Sequence, residues 1–414
     1  MSFRQLIRHR GIMGTASGAV VVVIAGGVFA AVSPGNRHES ISTAANSQPV
    51  ASQSAKPTTP PKAVAPLQIL SVTPSSGSQD ANGAEPIKIT FNEALATSSP
   101  LPTLSPKVDG TWTVSGDTAT FQPTLGYTQH THVTVTVPGG STGVEAAGLA
   151  ATGTTTTAAT DAGLLPKTQT LSFTTGSYST WRLQQLLTQL GYLPLTWTPT
   201  DASTGTIAAD DANAQLAAAY DPPAGTFTFD SGYPSQLTSQ WAAGQNNMID
   251  NGAIRAFEND NGLTMDGDAG SAVWSALLTA VAKNKTNPNG YTYSLVDQAS
   301  PDEWLHVYHN GKLIEDTPVN TGVPGAGTQD GTFPVFERFQ VTQMVGTDVD
   351  GTKYNDTVYW VSYFNGGDAL HYYPRPGYGY YQSNGCVEMQ LQPAEYIWKY
   401  TTYGSLVTVF GPVA

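Results

Sequence analysis

Short segments in which apolar and polar side chains alternate most constrain how this chain can fold. Three of them lie between residues 66 and 176, and they read IKITF (87–91), TWTV (111–114) and HVTVTV (132–137). Turn sequences rich in Gly, Pro and Ser separate them. Such punctuated alternation with a period of two residues is typical of a β-sandwich. Only 12% of the residues are charged, which also favours strands and turns over long salt-bridged helices. We therefore predict a β-sandwich over residues 66–176 in a multidomain, mainly β protein.

The N-terminal segment predicts export. Arg4, Arg8 and Arg10 precede an uncharged run over residues 12–32, which exceeds the roughly 20 residues that a helix needs to cross a bilayer. Positive charge before the run predicts a cytoplasmic N-terminus and an exported remainder. Small residues near the end of the run also fit a cleaved signal peptide, which would release the protein from the membrane. We expect residues 1–33 to be an uncleaved transmembrane anchor of a single-pass membrane protein.

Composition predicts a tether after the anchor and excludes one class of partner. Ser, Pro, Ala and Thr dominate residues 34–65, so this segment cannot bury enough apolar surface to fold and is predicted to be disordered. The whole chain is acidic, with a formal net charge of −13, and its basic residues form no patch beyond the extreme N-terminus. We therefore expect no binding to nucleic acid.

Residues 177–285 are predicted to form a small helical domain. Four leucines recur at helical spacing, and Gly191 ends that helix; they are Leu183, Leu186, Leu187 and Leu190. Two more helices are predicted around Phe257 and Trp274, and a polar insertion over residues 196–247 separates the two halves.

Strand composition returns in residues 290–414, which contain Cys386, the only cysteine of the chain. Segments rich in β-branched and aromatic residues predict a mostly β domain, and HNGK at residues 309–312 is typical of a hairpin turn. A lone cysteine in an exported protein cannot form an internal disulfide. Cys386 is therefore either a small buried apolar residue or a free reactive thiol.

A nucleophilic thiol needs a nearby base and donors that stabilise an oxyanion. Three histidines share the predicted domain with Cys386. His309 lies in the hairpin turn and His306 alternates with apolar residues, so His371, at the end of an apolar strand, is the candidate base. Gly385 permits close backbone approach, so its N–H and that of Cys386 are candidate oxyanion donors.

The segments TGVPGAGTQDGTFPV (321–335) and HYYPRPGYGYYQSNGC (371–386) resemble the L,D-transpeptidase family with a YkuD-type catalytic domain. That family has a His, a loop and then Ser-His-Gly-Cys, followed by an apolar residue and usually Arg. The resemblance covers roughly residues 290–414. The sandwich resembles bacterial immunoglobulin-like domains, and the helical domain resembles the peptidoglycan-binding domain of cell-wall hydrolases.

The resemblance implies roles for individual residues. Cys386 is the nucleophile and His371 the general base, while Ser383 and Gly385 form the floor of the acyl pocket with Cys386. Two positions depart from the family: Asn384 stands for the usual His and Glu388 for the usual Arg. Asn384 is expected to donate a hydrogen bond at the site. The residues expected to bind substrate are Tyr372, Arg375, Tyr380 and Tyr381, with Arg375 compensating for Glu388 if it points inward.

The resemblance also implies a reaction. Cys386 attacks the amide between the third residue, a diamino acid, and the terminal D-Ala of a peptidoglycan tetrapeptide stem. D-Ala leaves, a thioester forms, and an amine of an acceptor stem resolves it as a 3→3 cross-link. No metal or organic cofactor is expected, and carbapenem-type β-lactams are expected inhibitors.

Two alternatives remain open from the sequence. Water in place of the amine gives an L,D-carboxypeptidase. An inert Cys386 gives a non-catalytic structural protein that binds the cell wall.

Overall fold

The computed structural model describes residues 65–147, 162–299 and 301–412. The predicted anchor (1–33) and all but the last residue of the predicted tether (34–65) lie outside these ranges. Across the part of the chain that is described, no helix has both the length and the apolarity to cross a membrane.

The first described region is the expected β-sandwich. One sheet has the strand order β1-β2-β5-β4 and the other β3-β6-β7, and all neighbours are antiparallel. The strands are β1 (Ile69–Thr73), β2 (Ile87–Phe91), β3 (Thr103–Ser105), β4 (Gly110–Ser115), β5 (Thr118–Pro123), β6 (His132–Val137) and β7 (Gln169–Thr174). The alternating apolar side chains meet between the sheets, where Ile89, Phe121 and Val135 are buried. The predicted alternation is thereby confirmed.

The second region is helical, as expected. The polar insertion at residues 196–247 contains short helices and two strands. Its elements are α1 (Thr180–Gln189), β8 (Leu195–Pro199), α2 (Ala202–Gly205), α3 (Ala212–Tyr220), β9 (Gly225–Phe229), α4 (Ser235–Thr238), α5 (Met248–Asn261) and α6 (Ser271–Ala282). β8 and β9 form a two-stranded antiparallel sheet. Asn247 caps α5 through its side chain, and Gly262, with φ 67°, ends it.

The third region holds two sheets and one helix. The five-stranded sheet has the order β12-β11-β10-β18-β13, and the four-stranded sheet has the order β14-β15-β16-β17. Their bounds are β10 (Thr292–Asp297), β11 (Trp304–His309), β12 (Lys312–Pro318), β13 (Gly331–Pro334), β14 (Glu337–Thr347), β15 (Lys353–Asn365), β16 (Asp368–Tyr372), β17 (Val387–Met389), α7 (Leu391–Trp398) and β18 (Leu406–Phe410). The predicted hairpin turn joins β11 to β12, with positive φ at Asn310 and Gly311.

The helical region and the third region share one hydrophobic core. Leu186, Phe257 and Trp274 from the helices belong to the same buried cluster as Tyr293 and Leu406 from the five-stranded sheet. Burial of apolar side chains across this boundary holds the helices against the sheet.

The sandwich core yields a stability prediction. We expect Ile89→Ala to lower the free energy of unfolding of the sandwich by about 3 kcal/mol, because Ile89 is fully buried and the substitution leaves a cavity. Leu70→Ala on the neighbouring strand is the control. Leu70 is 63% exposed, so its loss should change the value by less than about 0.5 kcal/mol. Guanidinium denaturation followed by circular dichroism measures both, and equal effects would contradict the assigned core.

Candidate active site

Parallel pairing of β16 with β17 brings the predicted base and nucleophile into one cavity. Leu370 pairs with Val387 and His371 with Glu388. Leu370 and Val387 point into the core. Because successive side chains of a strand point to opposite faces, His371, Glu388 and Cys386 share the other face. That face borders a cavity of about 1040 Å³, which His371 and Cys386 both line.

Cys386 is a free, partly buried thiol. Its Sγ lies 3.6 Å from the carbonyl oxygen of Gly367 and 3.9 Å from Met344 Sδ, which comes from β14. Burial raises the pKa of the thiol to about 12, and the carboxylates of Asp368 and Glu388 act in the same direction. The resting thiol is therefore protonated at neutral pH.

His371 is almost fully buried and is held in one tautomer. Its Nδ1 lies 3.1 Å from the carbonyl oxygen of Tyr372, and since a carbonyl only accepts, Nδ1 carries the hydrogen. Nε2 therefore presents a lone pair, and it has no hydrogen-bond partner among the described residues. Burial lowers the pKa of His371, although nearby Glu388 opposes this shift. The imidazole is neutral and able to accept a proton at Nε2.

The other candidate histidines lie elsewhere. His306 Nδ1 is 2.8 Å from Asp316 Oδ1, and His309 Nδ1 is 3.0 Å from the hydroxyl of Thr292. Both lie on the five-stranded sheet. Within the described ranges, His371 is the histidine that lines the cavity beside Cys386.

Ser383 and Gly385 shape the turn that carries the thiol. The Ser383 hydroxyl donates to the carbonyl oxygen of Cys386 at 2.6 Å and accepts from the N–H of Gly385 at 3.2 Å. The N–H of Gly385, which is expected to face an oxyanion, thus donates to Ser383 in the resting protein. Gly385 has φ +110°, and a Cβ there would lie 2.5 Å from Asp368 Oδ1, so the turn requires glycine.

Asn384 is exposed and donates from its side-chain amide to the carboxylate of Asp348. Asp348 lies at the tip of the β14–β15 hairpin. Asn384 therefore links the turn that carries the thiol to this hairpin.

Arg375 and Glu388 form a two-point ion pair. Arg375 Nε and Nη2 donate to the two carboxylate oxygens of Glu388 at 2.7 and 2.8 Å. Glu388 is buried beside His371, and the guanidinium also covers the ring of Tyr373 at 4.7 Å from its centroid. Arg375 points inward, which is the orientation that it needs in order to compensate for Glu388. Its charge neutralises Glu388, so the guanidinium is not free to bind another carboxylate.

The three tyrosines predicted to bind substrate lie away from the cavity. The ring of Tyr372 packs beside Tyr359, and Tyr380 is exposed near Gly377. The Tyr381 hydroxyl donates to the carbonyl oxygens of Gln298 and Pro412. None of these three residues lines the cavity that holds Cys386, and their role in substrate binding stays a prediction.

The β14–β15 hairpin supplies one wall of the cavity instead. Tyr354, Tyr363 and Met344 come from this hairpin, and Tyr373 joins them from the loop. The sequence analysis gave the hairpin no role at the site. Alternation in FQVTQMV (339–345), followed by the turn sequence DVDGT (348–352), is the signal that would have indicated it.

Asp368 is a site residue that the sequence analysis missed. It follows the Gly366–Gly367 turn at the start of β16, and its carboxylate lies against Gly385. Asn365 donates to Oδ2 at 3.2 Å. Burial raises the pKa of Asp368 to about 6, and hydrogen bonds from Asn365 and the N–H of Gln329 oppose that shift. An anionic group thus borders the thiol at neutral pH.

Comparison with known proteins gives two family matches. Residues 291–409 match the model of YkuD, the L,D-transpeptidase catalytic domain. Residues 63–175 match the model of a bacterial Ig-like domain. A search of curated proteins gave no match.

Solved structures of L,D-transpeptidases are also similar to this chain. The Mycobacterium smegmatis enzyme is 12% identical, over 84% of this chain and 100% of its own, with a TM-score of 0.27. L,D-transpeptidase 3 of Mycobacterium tuberculosis, in complex with a faropenem-derived adduct, is 12% identical over 83% of this chain and 98% of its own, with a TM-score of 0.26. The E. faecium catalytic domain, acylated by ertapenem, is 26% identical over 29% of this chain and 97% of its own, with a TM-score of 0.27.

The buried thiol yields a reactivity prediction. We expect iodoacetamide to alkylate Cys386 more slowly at neutral pH than it alkylates glutathione, with a rate that rises as the pH is raised toward the thiol pKa. Met344→Ala should increase the neutral-pH rate about tenfold or more, because water reaching Sγ lowers the pKa and each unit gives tenfold more thiolate.

Val345→Ala is the matched control, because Val345 is the next residue of β14 and is 72% exposed. Intact-protein mass spectrometry measures the rates. Wild-type alkylation faster than that of glutathione would contradict the protonated resting state.

Proposed function

Because residues 291–409 belong to the L,D-transpeptidase catalytic-domain family, we propose that the protein is a peptidoglycan L,D-transpeptidase that uses Cys386 as its nucleophile. Cys386 attacks a tetrapeptide stem after its third residue, releases D-Ala and holds the tripeptide as a thioester. An amine of an acceptor stem then forms the 3→3 cross-link. The observation that carries this proposal is that Cys386 and His371 line the same cavity and that Nε2 of His371 has no hydrogen-bond partner among the described residues.

His371 acts as a general base rather than as half of a resting ion pair. Burial raises the pKa of the thiol and lowers that of the imidazole, so the neutral pair is the favoured ground state. The proton then passes to Nε2 as Sγ attacks the carbonyl carbon. The imidazolium formed gains from nearby Glu388, and it returns the proton to the leaving amine of D-Ala.

The N–H groups of Gly385 and Cys386 are the proposed oxyanion donors. In the resting protein the Gly385 N–H donates to Ser383 Oγ. The developing oxyanion replaces this neutral acceptor and, being charged, takes the stronger hydrogen bond. Ser383 keeps its bond to the carbonyl oxygen of Cys386, so the turn holds its shape during the exchange.

The charges around the cavity fit a donor with a cationic side chain. Asp348 and Asp356 line the cavity on the hairpin side, and the guanidinium of Arg375 is paired with Glu388. The amine of the third, diamino residue is therefore proposed to face these aspartates. Carbapenem-type β-lactams are proposed to acylate the same thiol, which rests on the match of residues 291–409 to the L,D-transpeptidase catalytic domain.

The location and the other domains complete the proposal. A single-pass anchor at residues 1–33 and a tether at 34–65 would hold the enzyme on the outer side of the cell membrane. The Ig-like domain would act as a spacer, and the helical region at 177–285 is proposed to bind the cell wall.

Mass spectrometry with a disaccharide-tetrapeptide substrate tests the function. We expect the residues 66–414 to form a tripeptide thioester on Cys386 and then dimers lighter by one D-Ala, with fragments that show a 3→3 link. Cys386→Ala should abolish both, and His371→Gln should slow thioester formation by roughly 100-fold or more, as for loss of a general base. Tripeptide monomer alone would indicate an L,D-carboxypeptidase.

His306→Asn is the control for histidine loss, because His306 lies on the five-stranded sheet and pairs with Asp316. It should leave the rate unchanged. Absence of thioester in the wild type would contradict the enzymatic proposal and favour a wall-binding structural protein.

A further inference from the structure

Asp368 places a carboxylate where it disfavours the first half of the reaction. Its negative charge raises the pKa of the Cys386 thiol and so opposes formation of the thiolate. The carboxylate of Asp368 nevertheless packs closely against the turn, because its Oδ1 occupies the space that a Cβ on Gly385 would need. An anion beside the thiol can therefore benefit only the second half of the reaction, in which an acceptor resolves the thioester.

The acceptor in that second half is an amine, and at neutral pH an alkyl amine is an ammonium ion. It has no lone pair until it loses a proton, so it needs a group that attracts the cation and then removes the proton. Of the groups already described, His371 is neutral again once it has returned its proton to the leaving D-Ala, so it carries no charge to attract the cation. Arg375 carries the wrong charge and is paired with Glu388.

We propose that Asp368 binds the ammonium group of the acceptor and removes one of its protons, so that the free amine attacks the thioester on Cys386. This inference rests on the proposed transpeptidase function. It means that one carboxylate, that of Asp368, favours attack on the thioester by an amine over attack by water.

Four features of the position support the assignment. Asp368 follows Gly367, whose carbonyl oxygen lies 3.6 Å from Sγ, and its carboxylate lies against Gly385, the residue before Cys386. It lines the same cavity as the thiol. Over the described residues, no Lys, Arg or His lies within 4.0 Å of its carboxylate to form an ion pair. Burial raises the pKa of Asp368 to about 6, which keeps it anionic at neutral pH while making it a stronger base than an exposed aspartate.

The step balances without a further reagent. The acceptor ammonium gives one proton to Asp368, and its nitrogen forms a bond to the thioester carbonyl carbon. The C–S bond then breaks, and the sulfur takes a second proton from that nitrogen through His371, which restores the thiol. The amide nitrogen keeps the third hydrogen, and Asp368 loses its proton to the solvent in the cavity.

Two acceptors that differ in charge separate this role from a structural one. The thioester is formed with the tetrapeptide donor and then offered 1,5-diaminopentane, which is an ammonium ion at neutral pH, together with hydroxylamine, which is neutral. Liquid chromatography with mass spectrometry measures the ratio of amide to hydroxamate. We expect Asp368→Asn to lower this ratio about tenfold or more, because only the ammonium acceptor needs the carboxylate.

Asp350→Asn is the matched control, since it removes the same charge from the hairpin tip of the same cavity, and it should leave the ratio within about twofold of wild type. An unchanged ratio in Asp368→Asn, or an equal fall in both products, would overturn the proposal. Loss of thioester formation in both Asp368→Asn and Asp368→Ser would also overturn it, by placing Asp368 in the first half-reaction or in folding. A wild type that forms no thioester would overturn the proposed function itself, and this inference with it.

Discussion

The register between β16 and β17 is the constraint on which the site depends. Leu370 opposite Val387 places both side chains in the core, and the alternation of a strand then directs His371, Cys386 and Glu388 to the cavity. If β17 slipped by one residue, the thiol would point into the core, and the side chains of Val387 and Met389 would point to the cavity. Asn320 fixes β17 from its other edge, since it exchanges two 2.9 Å backbone hydrogen bonds with Glu388.

This register brings the carboxylate of Glu388 next to His371, and the loop supplies the cation that balances it, Arg375. Removing Glu388 from water is costly, and the two hydrogen bonds from Arg375 offset that cost. The Glu388–Arg375 pair thus avoids a bare buried charge. It also neutralises Arg375, so the aspartates that line the cavity outnumber its other cation, Lys353.

Local patterns in the sequence were sufficient for the parts of the fold whose residues lie close together in the chain. The alternation of apolar and polar residues predicted the strands of the sandwich, and Asn310–Gly311 predicted a hairpin turn, because each pattern reflects a local backbone geometry. The positions of the loop tyrosines could not be predicted because the loop has no period, so the place of the Tyr381 side chain depends on distant partners such as Gln298. Asp368 was missed for the same reason: only the packing against Gly385 reveals it.

His371 and Asp368, which line the cavity with the thiol, differ in charge at neutral pH although burial acts on both. Burial favours the neutral form of each, yet His371 is neutral at pH 7 while Asp368, with a pKa of about 6, stays charged. A neutral imidazole can take the proton of a protonated thiol, and a carboxylate can hold and deprotonate a cation, whereas neither group serves the other task well. One cavity therefore provides both a base for a neutral nucleophile and a base for a charged one, which is what successive attack by a thiol and an amine requires.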